Sequence, residues 1–145
     1  MSLDNLLGKS LDKVEPNRAT VAQLMAAVER NLADSRVSAI SAENRFDAAY
    51  KAIMQLSMLA LHANGYRTLT SSPGHHQTAI QALPLTTGLA NKEMVVLDGL
   101  RKRRNLSDYG GDSVPESTVR ECIDHATALL AHVKAWLMAS KPDLL

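Results

Sequence analysis

The sequence has few aromatic residues and lacks a long uninterrupted apolar run. Only 3% of its 145 residues are aromatic, although 46% are hydrophobic. Sandwich and barrel strands are enriched in aromatic and β-branched residues, so this composition disfavours those folds. The longest apolar stretch, residues 54–63, is interrupted by Gln55, Ser57 and His62. This excludes a membrane-spanning helix, which needs about 20 predominantly apolar residues.

Cysteine is almost absent as well. Cys122 has no second cysteine in the chain, so the sequence excludes an intrachain disulfide and a thiolate metal cluster. Residues 1–16 lack a basic segment followed by a long apolar one, so we expect no signal peptide. These features are typical of a protein of the reducing cytoplasm.

An excess of one charge is missing too. The chain has 16 Lys and Arg and 15 Asp and Glu, which leaves a formal net charge of +1. No global field therefore draws the protein to nucleic acid or to a membrane, and a basic site must be local. The length and apolar content predict one domain over residues 1–145, with its core at about 17–140.

Helical periodicity and capping residues predict two long helices in the first half of the chain. Pro16 and Asn17 open the first, which we expect to end near residue 34. Ser41 is a suitable N-cap for the second. That helix should stop where Gly65 can adopt a left-handed conformation.

Two further long helices are predicted in the second half. One runs over residues 91–108 and ends at Gly110 and Gly111. The other begins at Ser113, which forms a capping box with Glu116, and ends near residue 140.

Shorter elements fill the remaining segments. We expect a weak helix over residues 3–13 and a loop over 66–72. The pair Ser72–Pro73 predicts the start of a short helix that Pro84 ends, and residues 85–88 should form a turn. Together these elements predict an all-α fold, an up-and-down antiparallel bundle of four long helices with one or two short ones.

Four consecutive basic residues, 101–104, stand near the end of a predicted helix. Cations there interact favourably with the negative end of the helix macrodipole. For Lys102 and Arg103, a solvated helix end is therefore as good an interpretation as a functional site. Arg104 differs, because it follows Leu97 and Leu100 at helical spacing and so continues an apolar stripe. A guanidinium in that position needs an acid on a facing helix.

Asp47 is a suitable acid. It shares a helical face with Met54, Met58 and Leu61, so it also interrupts an apolar stripe. We therefore expect Asp47 to pair with Arg104. Removing the Asp47 carboxylate should then lower the free energy of unfolding by on the order of 3 kcal/mol, because it leaves the charge of Arg104 without a partner.

The spacing Arg104-Asn105-x-x-x-Tyr109, preceded by Leu100-Arg101 and followed by a glycine turn and a final helix, resembles the HEPN family of small helical-bundle proteins. Residues 45–50 (RFDAAY), 65–67 (GYR) and 74–76 (GHH) are similar to the first half of such a domain. The resemblance covers about residues 40–139.

In that family, an Arg and a His that follows it by four to six residues form a metal-independent ribonuclease site. This sequence has Tyr109 where those members have His, and a phenol with a pKa of about 10 is a poor general base at neutral pH. The resemblance therefore implies an anion-binding pocket. Arg104, beside Arg101, would hold phosphate, Asn105 would position polar groups, and Tyr109 would stack or form a hydrogen bond.

His75 and His76 are adjacent, and no third ligand is spaced to complete a zinc site with them. We therefore predict neither a metal nor a cofactor. One ring could pack or form a hydrogen bond between helices while the other faces solvent. Alternatively, one ring reaches Arg104 or Tyr109 and restores an acid–base pair.

These observations favour a cytoplasmic, HEPN-like binding module that holds RNA, a nucleotide or phosphate through Arg104. The resemblance implies a homodimer whose interface includes the helix that ends at Tyr109, and a nucleotidyltransferase partner in a two-component system of the toxin–antitoxin kind. Two alternatives stay open. One is a metal-independent, toxin-like endoribonuclease that uses Arg104 with Tyr109 or a His, and the other is a structural helical adaptor.

Overall fold

The computed structural model of the protein describes residues 2–69 and 74–145. Within these residues the chain forms six α-helices, two short strands and two 3-10 helices. The α-helices are α1 (Arg18–Ser35), α2 (Ala42–Ala63), α3 (His75–Gln81), α4 (Leu83–Thr87), α5 (Asn91–Gly110) and α6 (Glu116–Ser140). The strands are β1 (Leu11–Lys13) and β2 (Tyr66–Thr68), and the 3-10 helices are Leu3–Leu6 and Pro142–Leu144.

Helix α2 is the central element, because it packs against α1, α5, α6 and both short helices. Apolar side chains cover most of its circumference, and several of them are fully buried: Ala49, Ala52, Ile53, Leu56, Leu59, Ala60 and Leu61. Each large apolar side chain buried in this way contributes about 1.5–3 kcal/mol. The predicted all-α architecture with four long helices is confirmed. Among the described helices, none combines the length and hydropathy that a bilayer crossing requires.

The predicted starts of α1 and α2 are confirmed by their caps. The Asn17 side chain accepts a hydrogen bond from the Thr20 backbone N–H at 2.8 Å, and the Ser41 hydroxyl accepts one from the Asn44 N–H at 3.2 Å. Such caps satisfy backbone donors that have no partner inside the helix. At the C-terminal end of α5, Gly111 has a φ of +71°, the left-handed conformation that terminates a helix.

The prediction of a weak helix over residues 3–13 was wrong. Only the 3-10 turn at its start is helical, and β1 pairs antiparallel with β2, with Leu11 opposite Thr68 and Lys13 opposite Tyr66. The predicted loop over 66–72 is therefore a strand in its first part. Three residues are too few to show an alternating pattern, and the pairing partner is distant in sequence, so no local signal exists for this ribbon.

Pro84 was also misinterpreted as the end of a short helix. It occupies the first turn of α4, where the missing N–H has no intrahelical partner to lose. Most of the turn predicted over residues 85–88 is consequently helical, and Gly88 ends α4 with a φ of +73°. The predicted helix start at Ser72–Pro73 lies outside the described residues.

The capping box predicted for α6 does not form. Pro115 is the N-cap residue, and no side chain caps the helix. Instead, the Glu116 carboxylate accepts from Nη1 of Arg45 at 3.0 Å, and the Val114 N–H donates to the Glu43 carboxylate at 2.9 Å. Partners on α2 thus replace the local hydrogen bonds that the sequence pattern indicates.

Candidate functional site

Helices α2 and α5 bring together the two charged residues that interrupt their apolar stripes. Nε of Arg104 lies 3.2 Å from Oδ1 of Asp47, and the side chains are 22% and 30% exposed. The predicted ion pair is therefore confirmed. The partial exposure matters, because it leaves both groups accessible to a ligand.

Asp108 is a second partner of Arg104 that sequence reasoning missed. Its Oδ2 lies 2.8 Å from Nε of Arg104, four residues earlier on α5. The i,i+4 spacing of an acid and a base on a predicted helix was a usable signal. Burial lowers the pKa of Arg104, but the hydrogen bond to Asp47 and the charges of Asp108 and Asp47 outweigh it and hold this pKa above its usual value.

Tyr50 links the arginine to the histidine pair. The Arg104 guanidinium lies 5.6 Å from the centre of the buried Tyr50 ring, which is within cation–π range. The Tyr50 hydroxyl is 3.4 Å from Nδ1 of His76, and the His75 ring stands edge-on to His76 at 4.5 Å. Burial raises the pKa of Tyr50 far above its ordinary range. The phenol therefore stays protonated and can donate a hydrogen bond to Nδ1 of His76.

The expectation that one histidine ring bonds between helices is confirmed for His76. Burial lowers the pKa of His76, and the charges of His75, Arg104 and Arg101 lower it further. Both effects favour the neutral form of the His76 ring. His75 is only half-buried, so it does not face solvent fully as expected for the second ring.

Two adjoining cavities, each of about 260 Å³, share Arg104 and His76 as lining residues. The first, which we call the apolar compartment, is further lined by Asp47, Tyr50, Lys51, Met54, Gln55 and Met58. The second, which we call the basic compartment, is further lined by Gly74, His75, Gln77, Arg101 and Asn105. Together the two compartments form one groove.

The basic run divides into two residues that are partly buried, Arg101 and Arg104, and two that are exposed, Lys102 and Arg103. Nε of Arg101 lies 2.7 Å from Oδ1 of Asp98, and Arg103 donates to the Thr118 hydroxyl of α6 at 3.1 Å. Lys102 matches the solvated interpretation, and Arg103 matches it in exposure while also contacting Thr118. Sequence reasoning missed Asp98, although it precedes Arg101 by one helical turn.

Two of the predicted ligand-binding residues, Arg101 and Asn105, line the basic compartment beside Arg104. The side chain of Tyr109, the fourth, lies outside the described part of the structure. The predicted supporting residues Asp47, His75 and His76 all line the groove. The structure thus places the predicted set, apart from Tyr109, around one pair of cavities.

The other histidines have structural partners. His62 accepts a hydrogen bond from the Asn17 N–H at 3.1 Å, and His132 lies 3.1 Å from the carbonyl oxygen of Thr87. Across residues 2–69 and 74–145, no three His, Cys, Asp or Glu residues are grouped to hold a metal ion.

No family model, curated protein or solved structure matches the chain. The resemblance to the HEPN family therefore stays a prediction.

A larger cavity of about 390 Å³ lies between α1 and the C-terminal residues Leu144 and Leu145. Apart from Arg18, the side chains that line it are apolar. Ligand sites typically combine an apolar wall with a few convergent polar groups. The groove has that combination, and this larger cavity does not.

The second carboxylate changes what we expect from Asp47→Ala. Because Arg104 keeps Asp108 and some contact with water, the single substitution should lower the free energy of unfolding by only about 1 kcal/mol. The double variant Asp47→Ala with Asp108→Ala should lose more free energy of unfolding than the two single variants lose together, since Arg104 then has neither carboxylate. Urea denaturation of the two single variants and the double variant measures this coupling. Strict additivity would contradict it.

The lowered pKa of His76 predicts a pH-dependent stability. Between the folded-state pKa and the unfolded value of about 6.5, the unfolded chain binds more protons than the folded one. The free energy of unfolding should therefore fall as the pH drops below about 6.5. Replacing His76 by Gln should flatten this part of the curve, and an NMR titration should show His76 titrating below its ordinary value. Titration above about 6.5 would contradict the prediction.

Proposed function

We propose that the protein is a binding module for a phosphorylated heterocyclic ligand, a nucleotide or a nucleotide unit of RNA. One observation carries the proposal: Arg104 and His76 line both an apolar cavity and a basic one. A single ligand can therefore place a planar base in the apolar compartment and its phosphate in the basic compartment.

The basic compartment suits a phosphate because its two arginines are already oriented. The ion pairs to Asp47, Asp108 and Asp98 all use the Nε atom of the arginine concerned. A guanidinium has four further N–H groups on its Nη atoms, and these match phosphate oxygens in geometry. Because the carboxylates offset part of the positive charge, binding should depend on directed hydrogen bonds more than on net charge.

The apolar compartment suits a planar base. Tyr50, Met54 and Met58 supply apolar and polarisable surface, and methionine adapts its shape to the group that it contacts. Removing the faces of a heterocycle from water against such side chains is favourable, whereas its polar edge needs partners. Asp47, Lys51 and Gln55 offer such partners in the same compartment.

Calorimetric titration of the purified protein tests the proposal. We expect a nucleoside monophosphate to bind more tightly than either the nucleoside or ribose 5-phosphate, since only the complete ligand occupies both compartments. The affinity should fall as salt rises, because charge-assisted contacts to phosphate are screened. Equal affinities for the monophosphate and ribose 5-phosphate would contradict a base-binding compartment.

The position of His76 favours a second candidate, a metal-independent ribonuclease. A neutral imidazole beside a guanidinium could accept the proton of a ribose hydroxyl while Arg104 stabilises the charge on phosphorus. We favour binding because Tyr50 is held protonated and can donate to Nδ1 of His76. The proton of the neutral ring then lies on Nε2, which leaves neither ring nitrogen free to act as a base. Cleavage of RNA in EDTA that is lost in His76→Gln would establish the ribonuclease.

Homodimerisation, a nucleotidyltransferase partner and a cytoplasmic location stay predictions.

A further inference from the structure

Two charged groups line the rim of the apolar compartment, where they can determine which base it accepts. Asp47 and Lys51 are four residues apart on α2 and therefore share a face of the helix. Both also line an adjoining polar cavity of about 430 Å³, which places them at the boundary between the two spaces. A base that enters the apolar compartment thus meets a carboxylate and an ammonium at its edge.

Asp47 retains hydrogen-bonding capacity after it has paired with Arg104. Nε of Arg104 reaches Oδ1, and an ionised carboxylate offers about four acceptor sites on its two oxygens. The ammonium of Lys51 offers donors and no acceptor. The matching base edge has adjacent N–H donors for Asp47 and a carbonyl oxygen for Lys51.

Guanine has this edge, with donors at N1 and N2 and an acceptor at O6. Adenine offers an amino group at N6 and an unprotonated N1, which would direct a lone pair at the carboxylate. Hypoxanthine keeps N1–H and O6 but lacks the N2 amino group. The donor and acceptor pattern therefore ranks the three purines.

We propose that the groove selects guanine nucleotides, with Asp47 accepting from N1–H and N2–H and Lys51 donating to O6. The inference rests on the proposed nucleotide-binding function and names its ligand class. It assigns Asp47 two roles, one toward Arg104 and one toward the base.

Calorimetric titration of the full chain with GMP, IMP and AMP tests this selectivity. We expect affinities in the order GMP, IMP, AMP, with GMP favoured over AMP by at least about tenfold, since one unmatched polar contact costs about that much. Equal binding of GMP and AMP overturns the guanine assignment and leaves nucleotide binding intact. Binding of none of the three overturns the guanine assignment, and if CMP and UMP do not bind either, the proposed function is overturned as well.

Asp47→Asn and Asp108→Asn form a matched pair, because both residues contact Arg104 and only Asp47 lines the apolar compartment. An asparagine at 47 can still accept from Arg104, but its amide N–H groups oppose the donors of guanine. We expect Asp47→Asn to reduce the GMP preference to within about twofold and Asp108→Asn to keep the wild-type ratio. A ratio unchanged in Asp47→Asn overturns the role of Asp47. If that variant does not fold, the order of the three nucleotides on the wild type still decides the selectivity.

Discussion

Asp98→Ala is expected to lower the free energy of unfolding by about 3 kcal/mol, because it removes the partner of a nearly buried guanidinium. The side chains of Arg101 and Asp98 are only 14% and 12% exposed, and their atoms are 2.7 Å apart. Water that enters the basic compartment can replace the lost carboxylate only in part, because so little of the Arg101 side chain is exposed, and Gln81 also loses its acceptor on Asp98. Urea or thermal denaturation followed by circular dichroism measures the change.

Glu29→Ala provides the matched control, since Glu29 pairs with Lys134 at 3.2 Å on the surface. These side chains are 57% and 48% exposed, so the substitution should cost less than about 1 kcal/mol. A double variant, Asp98→Ala with Arg101→Met, should recover part of the loss, because it removes the stranded charge. Similar losses in Asp98→Ala and Glu29→Ala would refute the account of a buried pair.

Arg104→Ala is expected to weaken nucleoside monophosphate binding by about 30- to 100-fold, which is the contribution of a charge-assisted, two-pronged contact to phosphate. The protein should remain folded, because the acids left behind, Asp47 and Asp108, are each about a third exposed and can be hydrated. Calorimetry measures the affinity, and circular dichroism checks the fold.

Arg103→Ala is the control for charge, since this neighbouring arginine contacts Thr118 and lines neither compartment. Its affinity should stay within a few-fold of the wild type. Arg104→Lys should give an intermediate loss, because lysine keeps the charge and loses the planar fork. If Arg103→Ala and Arg104→Ala weaken binding equally, the arginines act through their general field and the groove is not the site.

The long helices were predictable from sequence because their signals are local. The caps at Asn17 and Ser41 act over three residues, and each apolar stripe repeats within its own helix. The pairing of Asp47 with Arg104 was also predictable, although the residues are far apart in sequence. Each interrupts an apolar stripe, and two such interruptions of opposite charge have a strong reason to meet.

The parts that sequence reasoning missed depend on contacts between distant segments. The ribbon of β1 and β2 exists only as a pair, and the contact between Tyr50 and His76 needs α3 to pack over α2. The expected capping box failed for the related reason that Glu116 has a better partner in Arg45. Local patterns indicate which groups need partners, and tertiary packing determines which partners they obtain.

The two carboxylates that pair with Nε of Arg104 also determine whether this side chain loses its rotamer freedom on folding or on ligand binding. A free arginine side chain samples many rotamers, and immobilising such a side chain during association costs about 0.5–1.5 kcal/mol in entropy. Asp47 on α2 and Asp108 on α5 restrict these rotamers as the helices pack, so this loss accompanies folding. A phosphate that arrives afterwards meets an arginine that is already ordered, and nearly all of the contact energy is available for binding.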